Sequence, residues 1–258
     1  MLAALIVGCG ILGLAIGSFL NVVIYRVPRG ESIVRPGSHC PACEAQIAAR
    51  DNVPVISWMV LRGRCRSCGA AISPRYLLIE VLTGVLFALT AARLGATGVL
   101  PAVLVADATL VALAAVDLER LLLPKRIVYP GLALVLALLL GAAVVEGAWG
   151  RLGIAVVCAV AWYSLFFAIN LAAPRALGFG DVRLSLLLGI VLGWFGWRYV
   201  VVGFFAANLF GAVVGVALIA TGRLSRRQPV PYGVFLATGT IGTLLAGPIA
   251  VSWLAGVR

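Results

Sequence analysis

Four cysteines and two aspartates are the residues whose type and spacing point most directly to chemistry. Cys40-Pro41-Ala42-Cys43 and Cys65-Arg66-Ser67-Cys68 form two C-x-x-C pairs separated by 21 residues. Pairs at this spacing fold as tight knuckles that present four thiolates to one tetrahedral zinc ion. Four thiolates leave no open coordination position, so a zinc held this way is structural rather than catalytic. The same cysteines would form a pair of disulfides in an oxidising compartment. Gly69, just after the second knuckle, suits a left-handed turn. His39 is read as a bystander, and Cys9 and Cys158 as small packing residues in apolar segments.

The nine acidic residues divide by setting. Glu31, Glu44 and Asp51 belong to the cysteine-bearing stretch and Glu146 to another loop. Glu80, Asp107, Asp117, Glu119 and Asp181 lie in or at the edges of apolar segments, where ionisable groups are costly and usually functional. Two convergent carboxylates suit aspartyl chemistry: one takes a proton from water while the other, protonated, polarises a carbonyl. The single histidine excludes a Ser-His-Asp set within the membrane. Simpler readings exist for each aspartate alone, Asp181 as a helix N-cap and Asp117 as a partner of Arg120. A proton relay through Asp107, Asp117 and Asp181 in an ion-coupled transporter is the alternative from another class. Asp107 stands ten residues, or roughly 15 Å of helix, from Asp117, too far to share one carbonyl with it. With Asp181 near a helix start and Asp117 near a helix end, the dipoles favour Asp181 as the ionised partner.

The elements that position these residues follow from composition. Of 258 residues, 63% are hydrophobic and 11% charged, with a mean hydropathy of +1.12. That excess of apolar side chains cannot be buried in one soluble globule. A soluble enzyme, a disordered chain and a secreted disulfide scaffold are excluded, leaving an all-α polytopic membrane protein. About eight transmembrane helices are expected, at roughly 2–24, 77–93, 99–118, 127–145, 152–173, 182–197, 199–220 and 232–255. The sixth is short and glycine-rich, so it either crosses or re-enters. Expected domains are the first helix (1–24), a small cytoplasmic zinc-binding loop domain (25–76) and a membrane-embedded domain of about seven helices that carries both aspartates (77–258).

The net charge of +11 comes from basic residues scattered between apolar segments. That pattern argues against nucleic acid and for membrane topology. With loop 25–76 inside, 16 basic residues lie inside and four outside, Arg93, Arg151, Arg198 and Arg258. The N-terminus is therefore expected outside and the loop in the reducing cytoplasm. This arrangement brings Asp117 and Asp181 to a similar depth near the inner face. The glycines of Gly178-Phe179-Gly180-Asp181 permit irregular backbone there.

These residues resemble the type IV prepilin peptidase family. The resemblance runs from Gly17-Ser18-Phe19-Leu20-Asn21-Val22-Val23-Ile24-Tyr25-Arg26-Val27-Pro28 through the four cysteines to Ile72-Ser73-Pro74-Arg75-Tyr76 and Glu80. It continues through Ala115-Val116-Asp117-Leu118-Glu119, the G-x-G-D motif and Val230-Pro231-Tyr232-Gly233. It implies Asp117 and Asp181 as the catalytic pair, with Gly178, Gly180 and Arg183 supporting the catalytic loop. Glu80 would support substrate binding or methyl transfer, since it and Glu119 are placed to attract a basic leader. The resemblance further implies a bacterial inner-membrane enzyme that removes the short basic leader of prepilins or pseudopilins at the cytoplasmic face. S-adenosylmethionine-dependent N-methylation of the new N-terminus is implied as well; a peptidase without that second activity is the alternative. Three positions depart from the family pattern: Lys125 where aspartate is usual, Arg183 for lysine and Val234 for proline. Neither aspartate is touched. The oligomeric state and the methyl-donor site have no signature in the sequence.

Overall fold

The structure is a computed structural model and describes residues 1–174, 177–222 and 230–254. Of the arginines used for orientation, Arg175, Arg223, Arg226, Arg227 and Arg258 lie outside the described residues. The chain divides into two compact units, Met1–Ala96 and Thr97–Arg258. Among the described residues the regular structure is helical, with only two isolated β-bridges.

The first unit holds α1 (Leu2–Arg26), α2 (Ile56–Val60) and α3 (Pro74–Leu94). Ser73 starts α3 by accepting the Arg75 amide at 3.3 Å, with Pro74 in the first turn. α1 packs on α3 at backbone distance. A Cβ at Gly13 would sit 2.6 Å from the Thr83 carbonyl oxygen, and one at Gly17 would sit 2.7 Å from the Glu80 Cα. Small residues allow such close approach where lipid gives helices no hydrophobic reason to associate. Two polar side chains fix the root of the loop between these helices. The Asn21 amide donates to the Tyr76 carbonyl at 3.1 Å. The buried Arg26 guanidinium donates to the carbonyls of Ser32, Pro36 and Gly37 at 3.1, 2.7 and 3.1 Å.

The second unit holds α4 (Leu100–Arg120), α5 (Lys125–Glu146), α6 (Trp149–Ala172), α7 (Phe179–Trp194), α8 (Trp197–Ala220) and α9 (Tyr232–Leu254). α7 is its core helix and packs against α5, α6, α8 and α9. Val182, Leu184, Leu187, Leu188 and Leu192 are fully buried along it. A helix apolar all round is stable only inside such a bundle. α8 instead exposes Phe205, Leu209, Val213 and Val216, the face of a helix solvated by lipid.

Six helices, α1 and α3 to α6 with α8, are long and apolar enough to cross a membrane among the described residues. α7 has 16 residues, about 24 Å of helix, short of a hydrocarbon core of roughly 30 Å. The described apolar stretch of α9 is Tyr232–Gly247. The fold class is as expected, while six rather than eight helices meet the spanning measure by themselves.

The glycines of the sixth apolar segment are packing notches rather than hinges. A Cβ at Gly189 would lie 2.5 Å from the Ala159 Cα, and one at Gly193 would lie 2.8 Å from the Ala155 Cα. Gly189→Leu is therefore expected to destabilise the second unit by about 1–3 kcal/mol through overpacking. Gly141→Leu, where a side chain meets open space, should leave the thermal unfolding midpoint in detergent nearly unchanged. Equal midpoints for the two variants would contradict this packing.

Candidate active site and metal centre

The two cysteine pairs of the first unit form matching knuckles. The Cys40 amide donates to Ala45 and the Glu44 amide to Cys40; Cys65 and Gly69 repeat the pattern with Ala70 and Cys65. The bridges His39 to Gln46 and Arg64 to Ala71 occupy corresponding positions. Each knuckle turns through a left-handed residue, Gly69 at φ +72° in the second and Glu44 at φ +59° in the first. Glycine adopts that conformation freely and glutamate does not, so only the second turn was marked in the sequence.

The four sulfurs lie within 4.8 Å of one another, with Cys40 Sγ 3.9 Å from Cys68 Sγ. The backbone amides of Cys68 and Ser67 draw the Cys65 thiol down to about 6. The Ala45 amide favours the Cys43 thiolate too, but the Cys68 sulfur, burial and the other two cysteines push that thiol up to about 12. Sulfurs this close cannot all ionise without a cation between them, and the donor set therefore fits a bound metal ion. Arg66, within the second knuckle, holds Asp51 through two bonds of 2.6 and 2.8 Å. The guanidinium keeps that carboxyl below the usual carboxylate range.

In the second unit, Asp117 sits in the last turn of α4 and is buried. The α4 chain stops four residues later, where Leu121 turns left-handed and donates its amide to the Asp117 carbonyl at 2.8 Å. The carboxylate reaches α9, where Oδ2 accepts the Val234 amide at 3.3 Å. A Cβ on Gly233 would lie 2.9 Å from that oxygen. Asp181 is the third residue of α7, whose N-cap is Gly178. Its Oδ2 lies 3.1 Å from the Cβ position of Gly178. It is not the N-cap itself, and Asp117 has an amide partner beyond its own helix.

Leu123 joins the two carboxylate regions. Its side chain lies 2.9 Å from the Cβ positions of both Gly180 and Gly233, so alanine at either would collide. Tyr232 donates its hydroxyl to Asn208 Oδ1 at 3.1 Å, and its ring stacks on Phe166. Arg183 follows Asp181 by two residues on α7, its guanidinium 4.8 Å from the Phe179 ring centroid. Both carboxylates lie at helix starts, Asp181 at that of α7 and Asp117 at that of α9. Asp117 thus has the start of α9 beside its carboxylate as well as the end of its own helix.

Glu80 belongs to the first unit. It is buried on α3, where Oε2 accepts the Val55 amide at 2.7 Å. The Val55 and Val234 amides had no residue signature to reveal them; Tyr232 and Gly233 were marked by their motif.

The Bacterial Peptidase A24 N-terminal domain matches residues 11–94, and the Type IV leader peptidase family matches residues 103–216. A prepilin leader peptidase/N-methyltransferase of Aeromonas salmonicida strain A449 is 35% identical over 272 residues, covering 93% of this chain and 88% of that protein. The chain belongs to the type IV leader peptidase family. A Bacillus subtilis strain 168 relative with the same name is 32% identical, covering 94% of this chain and 95% of its own. One from Myxococcus xanthus strain DK1622 is 42% identical over 84% of this chain, which spans 64% of that protein's length. No solved structure matches the chain. The two family regions fall within the two compact units.

For this family member the metal centre is open to direct measurement. The purified full chain should carry a single metal ion, identified by elemental mass spectrometry, and Cys65→Ser should lose it. Each thiol must shed its proton to bind, so retention should fall as pH is lowered. Metal retained unchanged in Cys65→Ser would remove the tetrad from the site.

Proposed function

We propose that the chain is a prepilin leader peptidase and N-methyltransferase, with Asp117 and Asp181 as its catalytic pair. The observation that supports the assignment is that two buried carboxylates, Asp117 beside Gly233 and Asp181 beside Gly178, flank the same Leu123 side chain at the starts of α9 and α7. Gly178, Gly180 and Gly233 leave room around them.

With one proton between them, one aspartate takes a proton from water as the other donates to the scissile carbonyl oxygen. The water oxygen bonds to the carbonyl carbon. Collapse of that adduct breaks the C–N bond, and the departing amine takes up a proton. The Val234 amide restrains Asp117, and the start of α7 favours the anion on Asp181.

The substrate is a prepilin or pseudopilin, whose apolar helix lies in the bilayer and whose short basic leader remains in the cytoplasm. Its scissile bond then falls at the inner interface. The arginine distribution supports an N-terminus outside and a cytoplasmic cysteine loop, in a bacterial inner membrane. Zinc is the metal that suits the tetrad: Zn–S bonds of about 2.3 Å set neighbouring sulfurs about 3.8 Å apart in a tetrahedron. Its role is structural. S-adenosylmethionine supplies the methyl group for the amine that cleavage releases.

Cleavage of a prepilin bearing its own leader, followed by mass spectrometry with and without S-adenosylmethionine, tests the assignment. Asp117→Asn and Asp181→Asn should each lower the rate by about 10²-fold or more, with metal content retained. Wild-type product should gain one methyl group when the donor is present. Undiminished cleavage in either variant would mean a different pair. Failure of the wild type on an authentic prepilin would favour an ion-coupled transporter.

A further inference from the structure

The short helix α2 is hung from the side of α3. Glu80 follows Pro74, the first residue of α3, by six residues, about 9 Å of helix. Its Oε2 accepts the Val55 amide at 2.7 Å, just where the chain enters α2. A helical side chain leans toward the start of its own helix, so Val55 is held roughly 5–9 Å inside the loop-side end of α3. α1 gives a similar level. A Cβ on Gly17 would lie 2.7 Å from the Glu80 Cα, and Gly17 precedes Arg26, the end of α1, by nine residues, about 14 Å. α3 has 21 residues, about 32 Å of helix against a hydrocarbon core of roughly 30 Å. A helix of that length extends little beyond the lipid. Val55 therefore lies at the acyl boundary and not in the water above it.

What α2 presents at that depth is apolar. Ile56, Met59 and Val60 stand at i, i+3 and i+4, one face of a helix, and are 61%, 64% and 69% exposed. The opposite face is tied down. Ser57 is buried; its hydroxyl accepts the Val53 amide and donates to the Arg50 carbonyl, both at 3.0 Å. The Trp58 indole rests on Gly63, where a Cβ would lie 2.9 Å from the ring. These contacts fix the apolar stripe outward. Arg62 and Arg64 follow it in the chain and are exposed as well. An apolar face with a cationic rim complements the interfacial layer of a membrane, where acyl chains meet anionic headgroups. An interfacial helix buries its apolar face to about 5–10 Å, the depth at which Glu80 holds the start of α2.

Given that α1 and α3 cross the membrane, we propose that α2 is a lipid-inserted step of the cysteine loop. Ile56, Met59 and Val60 lie in the acyl boundary, and Arg62 and Arg64 lie at the level of the headgroup phosphates. The loop is then not wholly aqueous. Glu80 sets the depth of the step by holding the Val55 amide, and Val55, at φ +63°, turns the chain into it. Such a backbone is costly for a β-branched residue, and the Glu80 bond helps to hold it.

Photocrosslinking of the metal-loaded full chain in nanodiscs of phosphatidylethanolamine and phosphatidylglycerol tests the step. p-Benzoylphenylalanine is placed at Met59 and, in a second protein, at Ile56, so that a folding failure at one position leaves the other. Metal content and helical circular dichroism report folding. Leu82, exposed on α3, is the lipid-facing reference, and Ala42, exposed in the first knuckle, is the reference away from α2. Lipid adducts at Met59 and Ile56 are expected to match those at Leu82 and to exceed those at Ala42 about tenfold or more, as for side chains at the acyl boundary. Yields at both α2 positions no higher than at Ala42 would overturn the proposal. Adducts to the second unit, to another copy or to added prepilin in place of lipid would make the stripe a protein contact and overturn it too.

Discussion

In the second unit the controlling constraint is the cost of holding carboxylates where water is scarce. A buried anion without partners is unstable, and a membrane bundle offers few side-chain donors. The fold meets this with helix starts. Asp181 sits in the first turn of α7, and Asp117 reaches the amides that open α9. These amides are otherwise unsatisfied, so each helix terminus and each carboxylate meets the other's need. The chain must bring the end of α4 against the start of α9 to achieve this. Leu123, between Gly180 and Gly233, occupies the space where side chains would hold those starts away.

The first unit solves a different problem. Its loop has too little apolar surface for a core of its own, and the cysteine tetrad with its two knuckles substitutes for one. The loop is also anchored from below. Arg26 is buried at the end of α1 yet fully engaged with three loop carbonyls. Asn21 joins α1 to the start of α3. The anchored root and the paired knuckles border a cavity of about 510 Å³.

The helices were legible because hydropathy responds to lipid contact, and lipid contact governs most of this chain. α3 begins three residues before its apolar run, since Ser73 and Pro74 form a helix start regardless of hydropathy. α7 runs Phe179–Trp194 rather than 182–197: Gly178 caps its start, Phe195 caps its end, and Gly196, at φ +118°, opens α8 at once. The knuckles could be read from cysteine spacing, but the left-handed Glu44 could not, since its residue type carries no such signal. Arg26 read only as a topology charge. Glu80 was marked by the resemblance alone, and nothing in its residue type revealed that it accepts the Val55 amide. What escaped the sequence were contacts to backbone groups, which have the same chemistry at every position and become specific only through the fold.

The two activities place an order on each other through bond chemistry. The nitrogen to be methylated is an amide before cleavage, its lone pair delocalised into the carbonyl and nearly inert toward a sulfonium carbon. Hydrolysis converts it into an amine with a free lone pair. The peptidase step therefore creates the nucleophile, and the methyl donor has no reactive partner in an uncleaved prepilin.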